Sequence, residues 1–202
     1  ALANQWWFLA VGASALFAAW GYTGGKRPYG YMGLGDVFVF IYFGLVATLG
    51  TLFTQTNQLT LTGWVGAVAV GLISCALLMA NNVRDIPTDS ESGKLTLAVR
   101  LGDRAARITY AVEMILAILL CTVLVPQNPW FALIFVLVGP TVYSCVTVLS
   151  GRTGKDLIPV LKQAGIVALA GLGSDAAEGQ ERLDALRYAA GSAARQLVGS
   201  AE

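Results

Sequence analysis

Asp85 and Asp89 stand four residues apart in Asn81-Asn82-Val83-Arg84-Asp85-Ile86-Pro87-Thr88-Asp89-Ser90-Glu91-Ser92-Gly93-Lys94. Wherever the backbone is helical, that spacing puts both carboxylates on one face. Hard carboxylate oxygens suit Mg²⁺, which binds through one or two carboxylates plus substrate phosphates and keeps several waters. Lys94 and Arg100 follow closely and can neutralise phosphate oxygens. Pro87 lacks a backbone donor and biases Ile86 away from the helical region. The carboxylate pair is therefore expected to straddle a helix end. Asn81 and Asn82 add amides that are costly at a membrane helix end unless they find polar partners. Carboxylates for a metal and cations for phosphate, at a membrane surface, suit a lipid diphosphate. A plain charged loop has the same composition, and spacing alone does not separate the two.

A second cluster precedes it: Tyr22-Thr23-Gly24-Gly25-Lys26-Arg27-Pro28-Tyr29-Gly30-Tyr31-Met32-Gly33-Leu34-Gly35-Asp36. Lys26 and Arg27 can meet phosphate, the glycines permit close backbone approach, and the tyrosines offer flat faces and hydroxyls. A basic loop with an aromatic belt is the competing reading. The GxxxxGK[ST] pattern of a P-loop is absent. The chain has no histidine, which excludes His metal sites, Ser-His-Asp triads and imidazole acid–base chemistry within it. Cys75, Cys121 and Cys145 lie in apolar runs without CxxC spacing and read as small core hydrophobes.

The elements that must position these groups are membrane helices. Of 202 residues, 56% are hydrophobic and only 12% charged, about half the usual charge of a soluble domain. Apolar runs at residues 6–22, 37–54, 65–81, 108–125 and 130–149 approach the length that crosses a bilayer, and a marginal sixth spans 158–172. The expected fold is an all-α, polytopic membrane helical bundle with at least five membrane-length helices and no strands, because backbone groups in lipid must be satisfied internally. Residues 1–173 form the bundle. Residues 174–202 read as a polar, alanine-rich tail, either a short amphipathic helix or a solvated segment. Lys and Arg number 2, 0, 5, 0 and 3 along successive connections, which places the three basic connections on the cytoplasmic side. A net charge of +1 argues against a bulk nucleic-acid binder. The chain opens in apolar sequence with no charged leader, and an N-terminal portion is expected to be absent.

The two clusters together carry a likeness. Asn82-Val83-Arg84-Asp85-Ile86-Pro87-Thr88-Asp89, with Gly93-Lys94-x-Thr96-Leu97-x-Val99-Arg100-x-Gly102, resembles the second aspartate-rich motif of the UbiA superfamily of intramembrane prenyltransferases. More narrowly it resembles the 1,4-dihydroxy-2-naphthoate polyprenyltransferases of menaquinone biosynthesis. The segment from Tyr22 to Asp36 resembles the same branch, with the superfamily's YxxxK element at Tyr22 and Lys26. The resemblance implies a portion of a nine-helix bundle around a cavity open to lipid. It also implies transfer of a polyprenyl group from polyprenyl diphosphate to 1,4-dihydroxy-2-naphthoate, with loss of diphosphate and CO₂. Asp85 and Asp89 would hold Mg²⁺, and with Lys26 and Arg100 they form the implied catalytic set. Tyr22, Lys26, Asn82, Lys94 and Arg100 would bind substrate. Lys26, Asp85, Asp89 and Arg100 should share one end of the bundle and one cavity.

The family's first aspartate motif does not occur in the sequence, so the resemblance implies about three missing helices and no transfer by this chain alone. It further implies the cell (plasma) membrane, membrane lipid as a partner, and active-site loops on the cytoplasmic side. Two other readings stay open: a prenyltransferase for hydroxybenzoate or homogentisate, and a non-catalytic membrane relic of the fold. A transporter is disfavoured, since Asp85 and Asp89 lie at a helix end whereas transport sites lie near the midplane.

Overall fold

The computed structural model describes residues 6–25, 28–126 and 134–160. Among these the secondary structure is helical and without strands. The apolar runs become α1 (Trp7–Thr23), α2 (Gly35–Thr56), α3 (Leu61–Glu91), α5 (Asp103–Leu124) and α6 (Ile134–Leu149). A five-residue α4 (Leu97–Leu101) and the short 3₁₀ turns Tyr29–Met32 and Gly154–Leu157 complete the description. The protein is a multi-pass membrane helical bundle. Helices α2, α3 and α5, of 22, 31 and 22 residues, are long and apolar enough to cross a membrane. Among the described residues three of the five expected runs give helices of membrane length, while α1 and α6 cover 17 and 16 described residues and adjoin segments outside the described residues. The sixth run, but for its first three residues, and the expected tail lie outside the described residues.

Helix α3 is the axis of the bundle, packed on α5 along one side and on α2 along the other. It starts where the Thr60 side chain accepts from Gly63 N–H at 3.1 Å, satisfying a donor that the first turn leaves free. Small residues make its inner faces, including Gly66, Ala67, Ala69, Gly71, Ala76 and Ala80. That choice lets neighbouring backbones come close, which is what holds helices together where lipid removes the hydrophobic drive. A Cβ on Gly44 of α2 would lie 2.5 Å from Gly71 Cα, so the α2–α3 crossing requires glycine. Here α2 widens into a π-helical segment, Phe40–Val46, which nothing in the unbroken apolar run announces.

The core gathers Ile73, Ala76 and Met79 of α3 with Tyr110, Met114 and Ala117 of α5 and Val148 of α6. Outward, Ile108, Val112, Ile115, Leu119 and Val123 of α5 are exposed at three- and four-residue spacing, an apolar stripe suited to lipid. Arg107 is buried beneath it. Its guanidinium pairs with Asp103 at 2.8 Å and donates to the Val148 and Arg152 carbonyls at 2.7 and 2.9 Å. The last turn of α6 is thereby fastened to the first turn of α5.

One boundary differs from expectation. Helix α3 does not end near Asn81 or break at Ile86; it continues through Pro87 to Glu91. Proline removes one ladder bond, but Val83, Asn82 and Asp89 on either side are buried, and Ile86 packs on the core. Two nearby carbonyls also gain side-chain donors, Thr88 Oγ1 to Asp85 O at 3.0 Å and Ser90 Oγ to Ile86 O at 2.7 Å. Tertiary packing outweighs the local preference.

Candidate active site

At about 1.5 Å per residue, α3 is longer than a ~30 Å hydrocarbon core, and its polar last turns carry the candidate groups. Asn82, Asp85 and Asp89 follow one another at three and four residues and share a face. Asn82 and Asp89 are buried. Each carboxylate has its own cation. Arg84 forks onto Asp85, Nε to Oδ1 and Nη2 to Oδ2, both at 2.7 Å. Lys94 Nζ donates to both oxygens of Asp89 at 3.2 and 3.1 Å. The loop closes this second pair: Gly93 takes φ 72°, and Lys94 N–H donates to the Asp89 carbonyl at 2.8 Å.

Donor chemistry fits Mg²⁺ in part. Two hard carboxylates one turn apart match an ion that takes few protein ligands, and each oxygen keeps lone pairs beyond its ion pair. Among the described residues there is no cluster of three or more acidic, Cys or His side chains that would make a protein cage.

The two sequence clusters meet at this end of the bundle. Leu95 N–H donates to the Tyr31 carbonyl at 3.1 Å. Arg100 lies across Gly33, and its Nε donates to the Leu95 carbonyl at 3.2 Å. The turn after α1 and the segment after α3 therefore form one rim that carries Asp85, Asp89, Lys94 and Arg100. Lys26 lies outside the described residues.

Tyr22, in the last turn of α1, stands edge-on to Tyr29 with ring centroids 5.6 Å apart. Tyr29 stacks on Phe38 at 3.9 Å, and Phe38 stacks on Tyr42 at 6.3 Å. Burial pushes the Tyr29 phenol up, with Tyr22 and Tyr42 adding. It stays a donor, and it donates to the Ala18 carbonyl at 2.5 Å. These rings form one wall of an apolar cavity of about 830 Å³, faced by Gly12, Ala15 and Ala19 of α1 and extended by Phe43, Val46 and Ala47 of α2. Tyr22, Tyr29 and Gly35 bound its rim end. Asp85, Asp89, Lys94 and Arg100 do not line it; Leu95 and Arg100 join it through the turn that carries Tyr29, Tyr31 and Gly33.

Sequence reading gave no role to three polar groups. Arg84 was inside the motif, but its grip on Asp85 depends on an adjacent-residue rotamer that spacing does not show. Asp36 has both carboxylate oxygens buried without a hydrogen-bond partner among the described residues, and Glu113 has one. Glu113 did leave a signal, a carboxylate inside the apolar run at 108–125, which is costly in a membrane and marks a position worth weighing.

The UbiA prenyltransferase family profile matches residues 1–157. The chain belongs to the UbiA prenyltransferase family. Within it, the chain is 46% identical over 169 residues to the 1,4-dihydroxy-2-naphthoate octaprenyltransferase of Mycobacterium tuberculosis, covering 84% of this chain and 58% of that protein. The Haemophilus influenzae protein of the same name is 36% identical over 171 residues, 83% of this chain and 56% of the relative. A more distant relative, the rat UbiA prenyltransferase domain-containing protein 1, is 35% identical over 103 residues, 51% of this chain and 30% of its own length. The chain thus spans a little over half the length of the bacterial relatives it matches. No solved structure matches it.

Proposed function

We propose that this UbiA-family protein transfers a polyprenyl group from polyprenyl diphosphate to 1,4-dihydroxy-2-naphthoate, releasing diphosphate and CO₂ and giving demethylmenaquinone. One observation carries the reading. The Leu95–Tyr31 bond and the Arg100–Gly33 contact join the polar segment after α3 to the turn whose Tyr29 lines an apolar cavity. A polyprenyl diphosphate has the same two parts, an anionic head and a long apolar chain. The head sits at the rim and the chain runs into the cavity between α1 and α2. The names of the bacterial relatives support the naphthoate as acceptor.

Asp85 and Asp89 would hold Mg²⁺. When bound, the metal supplies Lewis-acid stabilisation of charge on the departing diphosphate. Arg100 and Lys94 add positive charge at the rim, where fixed donors matter most because charge develops there as the allylic bond ionises; the sequence resemblance assigns Lys26 the same task. Asn82 supports the carboxylates from the same helix face. The apolar cavity wall keeps water from the ionised donor, and Tyr22 marks the edge where head and chain divide. The protein works in the cell membrane with the rim on the cytoplasmic side, as its basic connections suggest.

A chimera tests this directly. The present sequence replaces the matched segment of the M. tuberculosis relative, and the purified protein in nanodiscs receives labelled polyprenyl diphosphate, Mg²⁺ and either 1,4-dihydroxy-2-naphthoate or 4-hydroxybenzoate. Product with the naphthoate alone supports the proposal. Product with the benzoate, or none with either acceptor, overturns it.

A further inference from the structure

Gly33 answers two separate demands. It caps the Tyr29–Met32 turn at φ 77° and ψ 13°, with its N–H donating to the Tyr29 carbonyl, a backbone state that L side chains adopt only with strain. It also leaves room for a neighbour. A Cβ at this position would lie 2.8 Å from Arg100 Nε and 2.9 Å from Arg100 Cδ. The guanidinium therefore rests on the bare glycine while its Nε is tied to the Leu95 carbonyl at 3.2 Å. Leu95 is in turn tied to Tyr31 at 3.1 Å, so the seat and the arginine belong to one braced unit.

Nε accounts for one of five guanidinium donors, and the other four sit on the two terminal nitrogens. These have no hydrogen-bond acceptor or carboxylate partner among the described residues, and Arg100 is exposed at the rim. An arginine held along its inner edge with its terminal nitrogens open presents a fixed planar fork, the arrangement that meets two phosphate oxygens. Fixing it beforehand also lowers the ordering cost of binding.

We infer that Gly33 is a positioning residue for the lipid diphosphate: with the Leu95 carbonyl it forms a seat that aims the Arg100 fork at the head group. The inference rests on the proposed prenyl-diphosphate function and adds to it a residue that never touches the ligand.

The test measures binding of geranylgeranyl diphosphate, with geranylgeraniol as the headless control, to the chain in nanodiscs with Mg²⁺. Gly33→Ala is compared with Gly151→Ala, which carries similar left-handed strain at φ 79° but has open space around its Cβ. Gly33→Ala is expected to weaken diphosphate binding roughly tenfold or more, the scale of a hydrogen bond to a charged group. Gly151→Ala and the headless control should not change. The double variant Gly33→Ala with Arg100→Ala should bind no worse than Arg100→Ala alone, since coupled residues are not additive. Additive losses, or equal binding by the two glycine variants, would overturn the seat while leaving the function standing. Equal affinity of the native chain for the diphosphate and the alcohol would overturn the function and the seat together. Should Gly33→Ala fail to fold, Arg100→Lys decides. It keeps the charge but cannot make the Nε contact, so a similar loss supports the seat and native affinity overturns it.

Discussion

Asp85 and Asp89 share a helix face, and each is matched with a cation from its own neighbourhood. The spacing was legible in the sequence because four residues make about one helical turn. The pairing was not: Arg84 reaches Asp85 from the adjacent position, and Lys94 reaches Asp89 only because the loop turns at Gly93. In the chimeric enzyme, replacing either carboxylate by Ala should lower turnover by about 10²–10³, the cost of one comparable electrostatic contact in a transition state. Steady-state rates and melting curves on the same samples check this. Turnover should fall while Tm moves little for Asp85→Ala, whose side chain is 36% exposed. Near-native turnover in both variants would remove the metal-binding role.

At the scale of elements, run length and composition located all five long helices among the described residues, because a membrane helix must be apolar along its whole length. The C-terminal end of α3 lies beyond the expected boundary because packing overrides the local preference around Pro87. Pro87→Ala restores a backbone donor to a helix that already continues through this position, so Tm should stay level or rise. A clear fall would mean that the packing depends on proline at that point. The π-helical segment of α2 was invisible for a different reason: an unbroken apolar run carries no periodic signal. Its close approach to α3 makes Gly44→Ala costly, on the order of 1–3 kcal/mol from overpacking, because the atoms in the way are Gly71 backbone. Gly12→Ala in α1, where a Cβ meets nothing within 4 Å, is the control and should not destabilise. Thermal unfolding of the two variants in one detergent measures the difference. Arg107→Ala removes two charge-assisted bonds, one to the Val148 carbonyl in the last turn of α6 and one to the Arg152 carbonyl just after it, and should cost on the order of 3 kcal/mol. An unchanged midpoint would show that α6 docks without the clamp.

For the molecule as a whole, the sequence placed two chemically matched segments on one membrane face by counting charges, and the structure joins them through a single backbone bond and one arginine. What counting could not supply is the cavity, since its wall of small residues in α1 and stacked rings in the turn and α2 exists only once those helices are side by side. The central claim is that a lipid diphosphate lies with its head at the rim and its chain in this cavity. The most direct measurement is photo-crosslinking of the chain in nanodiscs with a geranylgeranyl diphosphate analogue that carries a diazirine on its prenyl chain, mapped by mass spectrometry. The account predicts adducts on cavity residues such as Ala15, Phe38 and Phe43, suppressed by unlabelled geranylgeranyl diphosphate and weakened by Arg100→Ala. Adducts confined to the outer stripe of α5, at Val112, Leu119 and Val123, and unaffected by competitor, would contradict it.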